Sequence, residues 1–222
     1  MTEPTTAGRA PSDAPTGRRE LNKARTREAV ASSLRTLLVR HPVADITVDQ
    51  VAEGAGISRR TFFNYYGGIA AVLADVMRGH TTHLVEGLQT DPLGEDPVAS
   101  LRRVLRDRGL SAEFLTWMAA LNCHGSTSET AVLVERAVWT DLGDWFRGLL
   151  VEALPAEVDP VYVATLADAV MSAFAAAEQP WLARLDGRVD LTAEDVTAFL
   201  EHLDRALGYV ADGWALPTAP GP

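Results

Sequence analysis

The 222-residue chain holds one cysteine, Cys123, so neither an internal disulfide framework nor a cysteine-built zinc cluster can form within one chain. That scarcity suits a reducing compartment, and Cys123 itself reads as a small buried apolar side chain. No uninterrupted run of about 18 apolar residues is present to span a bilayer, and the opening MTEPTTAGRAPSDAPTGRRE lacks the apolar core of a signal peptide. A soluble, cytoplasmic protein with no membrane partner is expected. Sustained period-two alternation and Asn-Gly hairpin signals are missing too, which argues against β structure. There is no glycine-rich phosphate loop or nucleophile elbow, so no enzyme is expected. His80 and His83 lie three residues apart but have no suitable third ligand nearby, so they read as polar surface and no metal site is expected. Cys123 and His124 are sequence neighbours that point in different directions on a helix, with no orienting carboxylate evident, so they do not make a nucleophile and base. No cofactor is expected.

What is present is 47% hydrophobic residues, enough for a sizeable core, and the apolar spacing reads helical throughout. The expected fold is all-α with about nine helices. The first carries Val30, Leu34, Leu37 and Leu38 and ends near His41, before Pro42. After two short helices, a long fourth one is expected through Ile69, Val72, Leu73, Val76, Met77, Leu84 and Leu88. DPLGEDP at 91–97 is a breaker-rich loop, followed by helices over about 97–108, 112–123 and 128–153. Asp159-Pro160 caps and opens a helix reaching about Ala177, and Thr192 begins the last, which runs to about Tyr209.

The most informative segment is Thr47 to Tyr66, TVDQVAEGAGISRRTFFNYY. Thr47 followed three residues later by Gln50 fits a capping box, and Ile46 with Val51 fits a hydrophobic staple. Gly56 falls where a helix end needs positive φ, and Ser58 then offers a hydroxyl to the free N–H groups of a new helix, stapled by Ile57 and Phe62. Two short helices joined by a tight glycine turn make a helix-turn-helix. Val51, Ala52, Ala55, Ile57, Phe62 and Tyr66 supply its small core, which leaves Arg59, Arg60, Thr61, Asn64 and Tyr65 for an outer face. Arg bonds guanine O6 and N7 bidentately, Asn does the same for adenine, and Thr or Tyr hydroxyls reach phosphates or bases. Double-stranded DNA is the partner those residue types suit; a helical hairpin with a merely solvated polar face is the alternative.

The stretch from about Leu21 to Met77 resembles the N-terminal domain of the TetR family of transcriptional regulators. The resemblance rests on Ile46-Thr47-Val48-Asp49-Gln50-Val51-Ala52, on the turn Ala55-Gly56-Ile57-Ser58 and on Thr61-Phe62-Phe63-Asn64-Tyr65-Tyr66. It implies that Thr47, Arg59, Arg60, Thr61, Asn64 and Tyr65 touch operator DNA, with Thr47 and Tyr65 at phosphates. It further implies a homodimer formed by the last two long helices as a four-helix bundle, hence a palindromic operator, and a small-molecule effector in the helical body. Alanines 164, 167, 173, 175 and 176 would allow the dimer helices to approach closely. The family usually puts a polar residue and a lysine at the start of the fourth helix. Here Gly67-Gly68-Ile69-Ala70 stands instead, so that phosphate contact is absent or replaced.

The expected organisation is a disordered tail over 1–17, a helix-turn-helix DNA-binding domain over 18–66, a helical regulatory and dimerisation domain over 67–211 and a C-terminal tail over 212–222. Charge divides along those lines. Residues 18–66 hold nine basic against five acidic side chains, +4, whereas residues from 71 onward hold ten against 23, −13. Near a polyanion the head would turn inward and the body outward. Arg18, Arg19, Lys23, Arg25 and Arg27 either add phosphate contacts or form a solvated charge run. In the body, Phe114, Trp117, Met118, Leu121, Trp139, Trp145, Phe146, Tyr162, Met171, Phe174 and Trp181, with His124 and Asn122 as polar groups, are the candidate lining of a pocket for an apolar or amphipathic ligand, or simply core. With no activation segment evident, a repressor is expected. The alternative keeps the fold but weakens DNA binding, leaving an interaction module.

Overall fold

The computed structural model describes residues 14–90, 93–94, 96–125 and 128–213. They form ten α-helices: α1 (Ala14–Leu38), α2 (Val48–Gly54), α3 (Arg59–Phe63), α4 (Ile69–Gly79), α5 (Thr82–Thr90), α6 (Pro97–Arg108), α7 (Ala112–Asn122), α8 (Glu129–Ala153), α9 (Pro160–Leu185) and α10 (Ala193–Ala211). A single 3-10 turn at Val43–Asp45 links α1 to α2. The fold is all-α, as the apolar spacing requires. Of the segment expected as a tail, residues 1–13 lie outside the described residues. The helix already runs at Ala14, with Pro15 in its first turn, a position where a missing N–H costs nothing. At the other end, residues 214–222 of the expected C-terminal tail also lie outside the described residues.

Two boundaries differ from the sequence expectation. The long fourth helix is two helices, because the chain leaves helical geometry at His80 and Thr81. The Thr81 hydroxyl donates to the Arg78 carbonyl at 2.8 Å and the Thr82 hydroxyl to that of Gly79 at 3.0 Å. Side-chain donors thus serve carbonyls at the break between the two ladders. Conversely, α9 does not stop near Ala177 but continues through Pro180 to Leu185. The extra turns bury Trp181 and Leu185 almost completely. Trp181 packs edge-on against Phe199 at 5.3 Å and donates its indole N–H to the Asp195 carbonyl at 2.8 Å. Burying a large aromatic and a leucine contributes about 2 kcal/mol each, enough to offset the backbone hydrogen bond that Pro180 cannot make.

The head is built on Val30, Leu34 and Leu38 of α1, which pack with Val51, Ala52, Phe62, Tyr66, Val72 and Leu73. α2 comes so close to α1 that a Cβ on Gly54 would stand 2.3 Å from Ser33 Oγ, a hydroxyl that donates to the Val51 carbonyl at 2.9 Å. In the body, α9 and α10 pair along their length and α8 lies across both α4 and α9. Head and body meet at the end of α1. His124 Nε2 donates to the Leu38 carbonyl at 3.0 Å, the Cys123 thiol lies 3.6 Å from the same oxygen, and Arg35 pairs with Glu113 at 2.8 Å. Helix α9 has the length and apolar composition of a membrane-crossing segment. It nevertheless carries Asp168 and Glu178 and packs against α7, α8 and α10.

Candidate nucleic-acid interface and effector cavity

Each end of the α2–α3 pair is set by a local hydrogen bond. The Thr47 hydroxyl accepts from the Gln50 N–H, and Gln50 Oε1 accepts from the Thr47 N–H at 2.8 Å. Gly56 adopts φ +66°, which lets the Ile57 N–H reach back to the Ala52 carbonyl at 2.9 Å; a side chain there would be strained. Ser58 Oγ accepts from the Thr61 N–H at 3.0 Å and also lies 2.8 Å from the Thr61 hydroxyl. Phe62 is fully buried and Tyr66 nearly so. Burial and the bond to Asp75 at 2.9 Å keep the Tyr66 phenol protonated, its pKa raised well above the ordinary value.

With Phe62 and Tyr66 turned inward, Arg59, Arg60, Phe63 and Asn64 are exposed, and Thr61 and Tyr65 are half-buried. Thr47 is exposed at the start of α2. Arg59 is tethered: its Nη1 donates to Asp49 Oδ2 at 2.6 Å, and its guanidinium lies 5.4 Å from the centre of the Phe63 ring. Among the described residues Arg60 makes no ion pair. On α1, Arg19, Lys23, Arg25 and Arg27 are exposed, and Arg27 approaches Asp75 at 3.8 Å; the Arg18 side chain lies outside the described residues. Helix α4 opens at Gly68 without a side-chain cap.

The body contains a cavity of about 70 Å³ bordered by α5, α6, α7, α8 and α9. Phe114, Trp139, Trp145, Phe146, Met171 and Phe174 from the expected set border it, together with Thr81, Leu84, Leu88 and Leu149. The rest of that set lies elsewhere. Trp117 and Met118 are core residues of α7, and Tyr162 is 46% exposed at the start of α9. Leu121 and His124 border a second, smaller cavity of about 40 Å³ with Pro42, Val43, Asn122 and Glu135. The α5 residues were absent from the expected lining because a continuous fourth helix would have carried them on another course. Their apolar spacing was the available signal. Apart from the hydroxyl of Thr81, already engaged by Arg78, every lining side chain is apolar or aromatic.

Two titratable groups bear on chemistry. Burial pushes the Cys123 thiol up, which keeps it protonated and a poor nucleophile. Glu178, 2% exposed on α9, has its pKa raised to about 8, by burial first and then by the charge of Glu135. Its Oε1 accepts from Asn122 Nδ2 at 3.3 Å. His83 Nε2 donates to the Gly109 carbonyl at 3.1 Å, and among the described residues no cluster of three His, Cys, Asp or Glu is placed to hold a metal.

Two capped helices around a glycine turn, with a basic outer face and an all-helical body behind, define a helix-turn-helix protein. No protein-family model matches the chain. It is 36% identical over 89 residues to the HTH-type transcriptional regulator EthR of Mycobacterium tuberculosis, and equally to that of Mycobacterium bovis. The matched stretch is 40% of this chain and 40% of those relatives' length. Among solved structures, a TetR-family transcriptional repressor, FadR of Thermus thermophilus in complex with lauroyl-CoA, is similar over 88% of this chain and 98% of its own, at 23% identity and a TM-score of 0.49. Over that 89-residue stretch the chain is similar to an HTH-type transcriptional regulator.

Proposed function

We propose that this chain is a transcriptional regulator that binds double-stranded operator DNA as a homodimer, acts as a repressor and responds to a small apolar ligand. The observation that carries the reading is the outer face of α3. Arg59, Arg60 and Asn64 stand exposed on a helix whose other face is locked into the core by Phe62 and Tyr66. Thr47, Thr61 and Tyr65 flank them as phosphate or base contacts. The locally basic head and the acidic body favour one orientation toward DNA. For dimerisation, α9 presents exposed Ala175 and Ala176, with Val161 and Tyr162 exposed near its start, while Ala167 and Ala173 are used within the chain.

The cavity supports the ligand response. A benzene-sized molecule needs about 150 Å³, more than the 70 Å³ present, so an occupant must move a wall. Helix α5 is the wall that follows directly on α4, and α4 packs on α1 of the head. A ligand that favours the expanded cavity thereby favours one spacing of the two heads over another.

Selection of bound sequences from random DNA by the purified protein tests the reading. A palindrome is expected, with affinity falling on a log-log salt plot with a slope of about −0.9 per phosphate neutralised. Weak, sequence-blind binding would favour the other reading, an interaction module, to which the uncapped Gly68 at the start of α4 points.

A further inference from the structure

Phe63 has no place in the core of the head. Its neighbour Phe62 is fully buried, whereas Phe63 is 46% exposed and meets Phe62 only edge-on, at 5.6 Å. It lies on the face that carries Arg59, whose guanidinium is 5.4 Å from its ring centre. The third member of the group is Asp49 on α2, an exposed carboxylate on a face that otherwise suits a polyanion. Asp49 Oδ2 accepts from Arg59 Nη1 at 2.6 Å. That bond occupies one corner of the guanidinium and leaves Nε and Nη2, two parallel donors on one edge, for another partner. Such an edge matches the O6 and N7 acceptors of guanine. An aromatic ring beside it matches the one apolar group in the major groove, the C5 methyl of thymine.

We propose that Asp49, Arg59 and Phe63 form a preassembled unit that reads a guanine next to a thymine, Arg59 taking the guanine edge and Phe63 the thymine methyl. Asp49 is the positioning residue: it fixes which edge of Arg59 is presented and places a negative charge where an unspecific phosphate would otherwise sit. The proposal rests on the reading of α3 as the groove helix.

The test uses the operator obtained by selection, with each thymine replaced in turn by deoxyuridine, which removes only the methyl group. For the unmodified protein, one thymine per half-site is expected to respond with a loss of about fourfold, the effect of exposing one methyl-sized apolar group. Phe63→Ala is expected to bind thymine and deoxyuridine operators alike, and Phe63→Leu to keep part of the difference. Replacing the neighbouring guanine by 7-deazaguanine should weaken the unmodified protein and affect Asp49→Asn less, while Asp49→Asn binds scrambled DNA more tightly. A flat deoxyuridine scan, or one that Phe63→Ala leaves unchanged, overturns the proposal while the operator-binding reading stands. Failure to select any sequence removes both.

Discussion

The side chains that matter most are those whose burial and chemistry disagree. Arg60 and Asn64 are exposed beside a fully buried Phe62, and among the described residues neither side chain makes a hydrogen bond or ion pair. Arg60→Ala and Asn64→Ala should each weaken operator binding by about 1–3 kcal/mol and relax base preference at one position, measured by fluorescence anisotropy against matched and mismatched operators. Glu178 is the inverse case, a carboxyl group inside the core. Its pKa rises on folding from 4.5 to about 8, so the folded state binds more protons than the unfolded one between those values. Stability therefore falls as pH rises through that window, by up to about 1.4 kcal/mol per pH unit. Glu178→Gln keeps an acceptor for Asn122 and should flatten the loss, leaving the variant more stable than the parent at pH 8 in urea denaturation. Neither the tether on Arg59 nor the burial of Glu178 is legible in sequence. Both depend on partners brought up from other helices: Asp49 on α2, and Asn122 and Glu135 on α7 and α8.

At the scale of elements, caps were legible and long-helix continuity was not. The Thr47–Gln50 capping box, the Ser58 cap, the Gly56 turn and the Asp159-Pro160 start all act within one turn of chain, and each is formed as its sequence implies. The break at His80 and the run through Pro180 went the other way. Apolar spacing continues across the first, and a helix-breaking residue sits in the second. Gly54 shows a further element-level constraint that spacing does not reveal, since only the approach of α1 requires a residue without a side chain. Gly54→Ala must displace the Ser33 hydroxyl from the Val51 carbonyl, and a loss of about 1–3 kcal/mol is expected in thermal unfolding. Ser33→Ala in the same chain removes the closest clash and should make the glycine substitution cost less than it does alone.

For the whole molecule, the cavity and the head are joined through α5 and the His80–Thr81 break to α4 and α1, and also through α7 and α8, which border the cavity and pack on α1 and α4. Leu149 is a half-buried wall residue and can accept a larger side chain with less strain than the buried ones. Leu149→Trp should fill the space and abolish the binding of toluene, read by isothermal titration calorimetry, that the unmodified protein is expected to show. Operator binding without ligand should stay within a few tenths of a kcal/mol. Loss of operator binding together with toluene binding would mean that the cavity wall supports the head directly and does not merely signal to it.

By itself the sequence determined the helical class, the capped pair that forms the head, and the opposite charges of head and body, because period, capping and composition operate over one or two turns or over bulk charge. Tertiary structure decided the rest. It extended α9 to bury Trp181 against Phe199, placed Phe114, Trp139, Phe146 and Phe174 around one cavity while sending Trp117 and Met118 to the core, and left Phe63 outside under Arg59. Those outcomes turn on which surfaces meet, and residues far apart in the chain meet only when the helices pack.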